Sequence, residues 1–338
     1  MAQPISRRRL AGGALAAALL PSIAQAAGSP VQRASAVLMG TQVDLVAVHA
    51  DAALRARALD AAWAEMLRLS EMMSRYRSAS QLSLLAQAAG GAALPVAPEL
   101  MAVLQQAQSL ARRSGGRFDA TVGAYADWHF EPGAPPRLPD SATLARQRAL
   151  VGAAGLQLDA QRGTARLARP GMRLDLGGIA KLPILQAGLR TLAQQGVSDA
   201  LVNGGGDVLC SGTLQGRPWR IGLRDPRAPE RLLGVLALRD GGVVAASGDY
   251  ERGFSHAGRR YHHVLDPRSG QPSQGLHGLA LVAREVEAVN GWGAAMMVAG
   301  PAQSRRWLGE QLPGVEAMLA GPGGVWMSAG LEARITRL

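Results

Sequence analysis

The chain is poor in several residue types, and each scarcity limits what the protein can be. Among its 338 residues there is one cysteine, Cys210, so an intramolecular disulfide is excluded. We expect this thiol to pack as a small buried apolar side chain. Only 4% of the residues are aromatic, and the arginines are spread along the chain without a dense block. This pattern argues against nucleic-acid binding.

Lysine is equally scarce. Of the 36 basic side chains 35 are arginine, and the single lysine is Lys181. An ammonium group is a compact point charge, and a wide planar guanidinium does not replace it at a tight site. Lys181 follows a carboxylate, Asp175, and the pair Gly177-Gly178, and a helix-like run from Ile184 to Gln195 comes next. We therefore predict that Lys181 contacts a ligand; its survival by chance is the alternative.

Residues 1–26 have the features of a twin-arginine export signal. Arg7-Arg8-Arg9 precede an apolar stretch that ends at Leu20, and small residues suited to cleavage follow at 24–26. We predict a mature domain of residues 27–338 that works in the periplasm. The apolar stretch is short for a membrane span and no cysteine stands at the cleavage site to accept lipid, so we expect a soluble product.

The charge of the chain is basic, with a formal value of +11. Loss of the three arginines of the signal, which contains no acid, leaves +8. Such a balance suits nucleic acid, anionic lipid or a phosphate-bearing ligand. Nucleic acid is not expected in a periplasm, so no nucleic-acid partner is predicted.

Hydrophobic periodicity predicts helices and short strands that are mixed without regular βαβ alternation, which indicates an α+β fold. Helices are predicted at Ala52–Met73, Pro98–Arg113, Ile184–Gln195, Glu287–Val298 and Gln303–Gln311. Strands are predicted at Val43–Val48, Ala200–Val202, Val208–Cys210, Trp219–Leu223, Leu232–Leu238, Val243–Ala246, Gly278–Ala283 and Val315–Leu319.

Eight short motifs follow one another along nearly the whole predicted domain. In order, they are Met39-Gly40-Thr41, Ser74-Arg75-Tyr76, Ser80-Gln81-Leu82-Ser83, Phe118–Gly123, Asp175–Lys181, Val202–Asp207, Ser247–Tyr250 and His263–Gly270. In this order and at these separations they resemble the ApbE family, the FAD:protein FMN transferases. The resemblance implies an ApbE-like fold of mixed antiparallel sheets with flanking helices. It also implies that FAD is bound, that its pyrophosphate is cleaved with Mg²⁺, and that FMN is attached by a phosphoester to Thr or Ser of an acceptor flavoprotein. The membrane would be met only through that acceptor.

The same resemblance implies which residues line the FAD site. They are Met39, Tyr76, Arg117, Phe118, Asp119, Asp175, Lys181, His263 and Val264. Asp119 and Asp175 would accept hydrogen bonds from ribose or adenine groups, and Tyr76 would offer an aromatic face to a ring. Taken singly, Asp119 is typical of a loop or cap carboxylate and Tyr76 of core packing; the order of the motifs favours ligand contact.

His263 is the candidate general base for the acceptor hydroxyl, because an imidazole titrates near the working pH. Asp266 either orients it or shapes the turn. His262 and His263 are adjacent on a strand and point to opposite faces, so we do not expect them to bind one metal ion, and His262 is expected to be structural. Residues 203–207, Asn-Gly-Gly-Gly-Asp, are compatible with phosphate approach and equally with a hairpin.

Two departures from the family pattern concern the chemistry. The family holds Mg²⁺ with Asp and Thr side chains and a backbone carbonyl of the Gly-Gly segment, here Gly178; the matching side chains are Asn290 and Ala294. An amide oxygen is a weaker ligand than a carboxylate, and Ala offers no side-chain oxygen. Glu287 lies three residues before Asn290, on the same predicted helical face, and is either a replacement ligand or a solvated residue. After Lys181, Leu182-Pro183 and Gln186 replace the family's usual residues.

Two hypotheses for function follow. The first is an exported transferase with Lys181 and His263 as its catalytic residues. The second is a catalytically weakened relative that binds FAD or FMN as a carrier or maturation factor for a periplasmic or membrane redox protein. The family residues at 119, 175, 181 and 263 favour transfer, and those at 290 and 294 favour binding alone.

Overall fold

The computed structural model describes residues 22–24, 29–130 and 137–337, and of residues 22–24 it describes the backbone alone. The predicted export signal lies outside the described residues except for Ser22–Ala24, which form a short strand. Helices and antiparallel sheets are mixed as an α+β fold requires, and this prediction is confirmed.

The helices begin and end where the sequence supplies caps. The Asp51 carboxylate accepts the backbone N–H groups of Ala53 and Leu54 at the start of α1. The helix α3 has Pro at its first position and ends before Gly115 and Gly116, whose φ angles are +60° and +72°. The helices are α1 (Ala52–Met72), α2 (Gln81–Gln87), α3 (Pro98–Arg113), α4 (Ser141–Arg148), α5 (Lys181–Gln194), α6 (Val286–Val289), α7 (Trp292–Ala299), α8 (Pro301–Glu310) and α9 (Ala329–Arg334).

The strands form four sheets in the described part of the chain. They are β1 (Ser22–Ala24), β2 (Val31–Leu38), β3 (Thr41–Val48), β4 (Leu94–Pro95), β5 (Leu156–Asp159), β6 (Thr164–Leu167), β7 (Asp199–Gly204), β8 (Asp207–Ser211), β9 (Trp219–Asp225), β10 (Ala228–Leu238), β11 (Gly242–Gly248), β12 (Gly253–His256), β13 (Arg259–His262), β14 (Gly278–Ala283), β15 (Glu316–Gly321), β16 (Gly324–Met327) and β17 (Ile335–Thr336). The largest has the order β1-β2-β3-β7-β8-β11-β14-β15-β16, and the smaller sheets are β17-β10-β9, β12-β13 and β4-β6-β5.

The large sheet is packed on both faces. Side chains of α1, α3, α5 and α7 cover one face and form the main core. The sheet β17-β10-β9 and α9 cover the other face around Trp219 and Leu236. Alternation along β8 divides the two cores, since Leu209 belongs to the first and Val208 to the second. Cys210 is buried here, as expected, and burial raises the pKa of its thiol to about 12.

Three connections meet at one end of the large sheet, which we call the loop end. They are the turns 38–41 and 204–207 and the segment 248–278, and the strand register aligns them: Val43 pairs with Gly204, and Gly248 pairs with Gly278. The first residue of α5 lies at the same end, because Lys181 contacts Asp207.

The helix predicted at Glu287–Val298 is interrupted, which corrects the sequence prediction. The chain forms α6, leaves helical geometry at Asn290, and starts α7 after Gly291, whose φ is +77°. A Cβ at Gly291 would lie 2.4 Å from a Leu110 methyl carbon, so both the conformation and the packing require glycine. The apolar periodicity continues through the break, and for that reason the sequence predicts one helix.

None of the helices in the described part of the chain combines the length and the apolar character that crossing a bilayer requires.

Candidate active site

Lys181 is held by a buried carboxylate that sequence reasoning missed. Its Nζ lies 2.8 Å from Oδ2 of Asp207, which is 4% exposed. The other carboxylate oxygen accepts the Ala246 N–H at 2.7 Å. The side chain of Lys181 is 28% exposed, so its ammonium group is fixed on one side and accessible on the other. The lysine is therefore placed to meet a ligand at the loop end of the sheet.

Asp207 owes its position to a tight hairpin. Gly205 and Gly206 connect β7 to β8 with φ angles of +59° and +92°, so the glycine-rich segment is a hairpin turn. A Cβ at Gly205 would lie 2.4 Å from Oγ1 of Thr41, so the turn packs closely on the start of β3. The turn thus brings Asp207 beside the segment that contains Met39.

Asp175 links two other predicted segments. One oxygen accepts the Gly177 N–H at 2.7 Å, and the other lies 3.0 Å from Nη1 of Arg75. Its own N–H donates to Ala120 at 2.7 Å. Next to Arg75, Tyr76 is 65% exposed, and the guanidinium lies 4.8 Å from its ring centroid. The reading of Tyr76 as a core residue is therefore wrong, and its ring lies at the surface against Arg75, the partner of Asp175.

Asp119 is a cap carboxylate in this structure. Its Oδ1 accepts both the N–H and the hydroxyl of Thr121, at 2.8 and 2.6 Å, and begins the short 3₁₀ turn Ala120–Ala124. The residue is 7% exposed. Contact with a ribose or adenine group remains a prediction for it.

Phe118 and Arg117 precede this turn and differ in burial. Phe118 is 6% exposed, and its Cε2 lies 3.5 Å from the place of a Cβ at Gly178. The guanidinium of Arg117 lies 5.9 Å from the ring centroid of Trp307. Phe118 is thus a wall beside the Gly-Gly segment, and Arg117 is anchored on α8.

His263 lies beside the turn that contains Met39. Its N–H donates to the Arg252 carbonyl at 3.2 Å, and its Nδ1 lies 3.3 Å from the same oxygen. The guanidinium of Arg252 donates to the carbonyls of Met39 and Gly40 at 3.1 and 3.3 Å. Met39 has a φ of +54°, in the left-handed region that few non-glycine residues adopt. Val264 follows, partly buried against the main core.

The charge state of His263 is set by its surroundings. Desolvation lowers the pKa of His263 below its ordinary 6.5, the hydrogen bond to Arg252 opposes this, and the charges of Arg252 and His262 act with desolvation. Because His263 is an exposed residue, solvent moderates the shift without reversing it. The charge of Asp175 acts in the opposite direction and raises the pKa of this imidazole, but less than desolvation lowers it. The ring is therefore neutral at neutral pH and able to accept a proton.

The neighbours of His263 have structural tasks. His262 is 3% exposed, its Nε2 lies 2.7 Å from the Ser273 carbonyl, and burial lowers its pKa. Asp266 binds the guanidinium of Arg268 through both oxygens, at 2.9 and 2.7 Å. Burial raises the pKa of Asp266, but the hydrogen bonds and the charge of Arg268 outweigh burial and hold this pKa below its usual range. Asp266 shapes its turn, and among the described residues no hydrogen bond joins its carboxylate to His263.

The hairpin β12–β13, which leads into His263, is fixed by side chains that the sequence did not single out. Four rings, of Trp128, Phe130, Phe254 and Tyr261, form a closed set with neighbouring centroids 5.4 to 5.9 Å apart. The guanidinium of Arg260 donates twice to the Asp249 carbonyl, at 2.9 and 2.8 Å. In so aromatic-poor a chain, four aromatics near two motifs were a usable signal.

Part of the predicted metal site is brought together, but its chemistry does not suit Mg²⁺. The Ala294 Cβ lies 3.1 Å from the place of a Cβ at Gly178, so these positions are adjacent. Asn290 is 3% exposed and donates its amide to Oε1 of Gln106 at 2.7 Å. In the described ranges no three His, Cys, Asp or Glu side chains are grouped closely enough to hold a metal ion. One neutral amide oxygen and a carbonyl are a poor donor set for a hard cation.

Glu287 does not complete this site and is a solvated residue, one of the two alternatives that the sequence left open. Its carboxylate accepts the Gln186 amide at 3.3 Å and lies 3.6 Å from Arg190, and its side chain is 57% exposed. Asn290 is buried against α3. The helix break between them removes the common face on which the prediction depended.

Comparison with known proteins agrees with this geometry. The ApbE family model matches residues 39–319, and the chain belongs to the ApbE family. The FAD:protein FMN transferase of Rhodobacter capsulatus is 33% identical over 258 residues, which are 75% of this chain and 48% of that protein. The chain thus spans about half of that relative. The enzyme of the same name from Treponema pallidum is 33% identical over 289 residues, 80% of this chain and 79% of that protein. The crystal structure of the ApbE protein of Thermotoga maritima superposes with a TM-score of 0.82 at 26% identity, covering 90% of this chain and 99% of that one.

Proposed function

We propose that this protein is an FAD:protein FMN transferase that cleaves FAD and attaches FMN to a Thr or Ser hydroxyl of an acceptor flavoprotein. The observation that carries the proposal is a continuous line of contacts at the loop end of the sheet. Lys181 contacts Asp207, the turn before Asp207 packs on Thr41, and the Met39 carbonyl binds Arg252, whose carbonyl accepts from His263. This line of contacts supports a site that contains both a cation for phosphate, Lys181, and a neutral base, His263.

The chemistry assigns a task to each group. The acceptor oxygen attacks the phosphorus of the FMN half of FAD, its proton passes to the imidazole of His263, and the phosphoanhydride bond breaks so that AMP leaves. Lys181 offsets the negative charge of the phosphates, and Asp207 prevents the ammonium from turning away. No step is assigned to Mg²⁺, because the residues at 178, 290 and 294 do not form a fitting donor set.

The binding of FAD is assigned to the residues around Asp175. The exposed ring of Tyr76 supplies a stacking face, and the carboxylate of Asp175 is oriented by Arg75 and by the Gly177 N–H. Phe118 closes the wall beside Gly178. This placement supports the predicted FAD residues as a group.

Export to the periplasm is part of the proposal and rests on the sequence of residues 1–26. The test fuses these residues to a reporter and compares its periplasmic yield with that of the same fusion carrying Arg7→Lys/Arg8→Lys/Arg9→Lys. Equal periplasmic yields would contradict twin-arginine export.

A carrier of FAD or FMN is the second candidate, and the residues at 290 and 294 favour it. One experiment distinguishes the transferase from the carrier. The purified protein is incubated with FAD and a library of Thr-containing peptides from acceptor domains, with and without Mg²⁺. Intact mass reports FMN attachment, and chromatography reports AMP. Transfer that is lost in His263→Ala supports the transferase; tight FAD binding without AMP release supports the carrier.

A further inference from the structure

A cavity of about 270 Å³ lies along β9. Its lining residues Ile221, Val208 and Val244 belong to the core on the face of the large sheet opposite α5, the helix that Lys181 begins. Five consecutive residues of β9, 220–224, line one side. Leu201 and Asn203 of β7 and Val208 of β8 line the other. Consecutive lining residues mean that the backbone of β9 borders the cavity together with its side chains. We call this cavity the β9 groove.

The strand that borders the groove is an edge strand. In the sheet β17-β10-β9, the described residues pair β9 with β10 alone. An edge strand presents unpaired N–H and C=O groups, which an extended peptide can meet as an added strand. Seven residues of β9 correspond to roughly 23 Å of extended chain. The groove therefore offers a row of backbone partners to a short extended segment.

One end of the groove reaches the candidate active site. Gly206 lines it and directly precedes Asp207, the partner of Lys181. Ser247 lines it too, and its Oγ lies 2.4 Å from the place of a Cβ at Gly293 in α7. A segment lying along β9 would thus end beside the loop end of the sheet, where a hydroxyl must be delivered.

The charges of the groove select the occupant. Arg220 and Arg224 line it as exposed residues, and neither has an ion pair within 4.0 Å in the described ranges; Glu251 is the one acid of the lining. The chain's own residues 1–43 contain no acid, and a second copy carries a formal charge of +11. Charge therefore disfavours both the protein's own amino-terminal segment and a second copy, and it favours an acidic segment of another protein.

We propose that the β9 groove binds the acceptor protein, through an extended acidic segment next to the modified Thr or Ser that pairs with β9 and contacts Arg220 and Arg224. This inference rests on the proposed transferase function. It assigns acceptor recognition to the face of the sheet opposite the FAD-binding residues.

The test is a binding measurement that needs no transfer. The probe is a fluorescein-labelled peptide of alternating Asp and Val ending in Thr, titrated with the full chain by fluorescence anisotropy. Two further peptides carry Lys in place of Asp, or N-methyl groups at alternate peptide bonds. The variant is Arg220→Glu/Arg224→Glu, and the matched control is Arg57→Glu/Arg306→Glu, which makes the same charge change at exposed positions of α1 and α8.

The Asp peptide is expected to bind the wild type and the control equally, and the groove variant at least tenfold more weakly. The groove variant should bind the Lys peptide more tightly than the Asp peptide. The N-methylated peptide should bind the wild type at least tenfold more weakly than the unmethylated Asp peptide. Absence of binding to the wild type, equal affinity in the groove variant, or an unaffected N-methylated peptide would each overturn the proposal. So would a wild-type dimer in light scattering that the groove variant dissociates, since a second copy would then be the occupant. FMN attachment is measured separately by mass, so failure of transfer and failure of the groove are distinguishable.

Discussion

Changing Lys181 to Met removes the ammonium group 2.8 Å from Asp207 and leaves that carboxylate with the Ala246 N–H as its remaining bonded donor among the described residues. Removing one partner of a buried pair costs about 3–5 kcal/mol, and a charge-assisted hydrogen bond contributes about 1.5–3 kcal/mol. Lys181 is 28% exposed, so water can enter and solvate the carboxylate in part. We therefore expect the free energy of unfolding to fall by about 1–3 kcal/mol.

The assay is urea unfolding followed by tryptophan fluorescence, carried out as a double-mutant cycle. Asp207→Asn can keep the bond from Ala246 while losing the charge, so Lys181→Met should cost much less in that background. A coupling of about 1–2 kcal/mol between the two changes is expected. If the two losses add to within about 0.5 kcal/mol, Asp207 is not the partner that fixes the lysine, and the reasoning fails.

The same pair predicts a ligand effect that charge alone does not explain. Lys181→Arg keeps the formal charge, but a planar guanidinium held by Asp207 presents its donors differently to a phosphate. FAD affinity should fall by about 1–3 kcal/mol, which is roughly 5- to 150-fold. Calorimetry that gave equal affinities for wild type and Lys181→Arg would reject this role for the lone lysine.

Three further outcomes are expected. Because the pKa of His263 is lowered from 6.5, its neutral form dominates at pH 7, so the transfer rate should stay level above pH 7 and fall on acidification. The residual transfer rate of His263→Ala should not fall on acidification. If it does, another group causes the acidic loss of rate. The Asn290→Asp/Ala294→Thr variant should bind Mg²⁺ at least tenfold more tightly than the wild type when measured by calorimetry. If the wild type already binds Mg²⁺ tightly and the variant gains no affinity, other groups complete the site. Phe254→Ala removes two ring contacts and should lower the free energy of unfolding by about 1–3 kcal/mol in urea, whereas no change would show that the four rings add no stability.

Much of the fold could be predicted because its signals are local. The helix at Pro98–Arg113 and the strand at Gly278–Ala283 have the predicted bounds, since Pro, Gly and an apolar run mark them. The break at Asn290–Gly291 was missed because its cause is not local. Gly291 adopts its positive φ against Leu110 and Ile179, which belong to α3 and the segment before α5.

The candidate site shows the same limit. The motif order indicated Lys181 and His263, but not the residues that hold them. Asp207 lies 26 positions after Lys181 and meets it only because β8 runs back beside α5, a property of the topology. The alternative that Glu287 is a replacement ligand fails for the same reason, since it assumes that the helix continues between Glu287 and Asn290.

The hairpin β12–β13 forms a two-stranded sheet of its own, so its attachment depends on the four rings, on Arg260 and on the contact of His262 with Ser273, and not on the ladder of the large sheet. Such a unit can open with a smaller free energy than the whole domain. On heating, the general base would then be released from its place while the nine-stranded sheet is still intact, and inactivation would precede loss of the fold. Native-state hydrogen exchange should show amides 253–262 exchanging ahead of those in β8 and β11, and equal protection of the two sets would contradict independent opening.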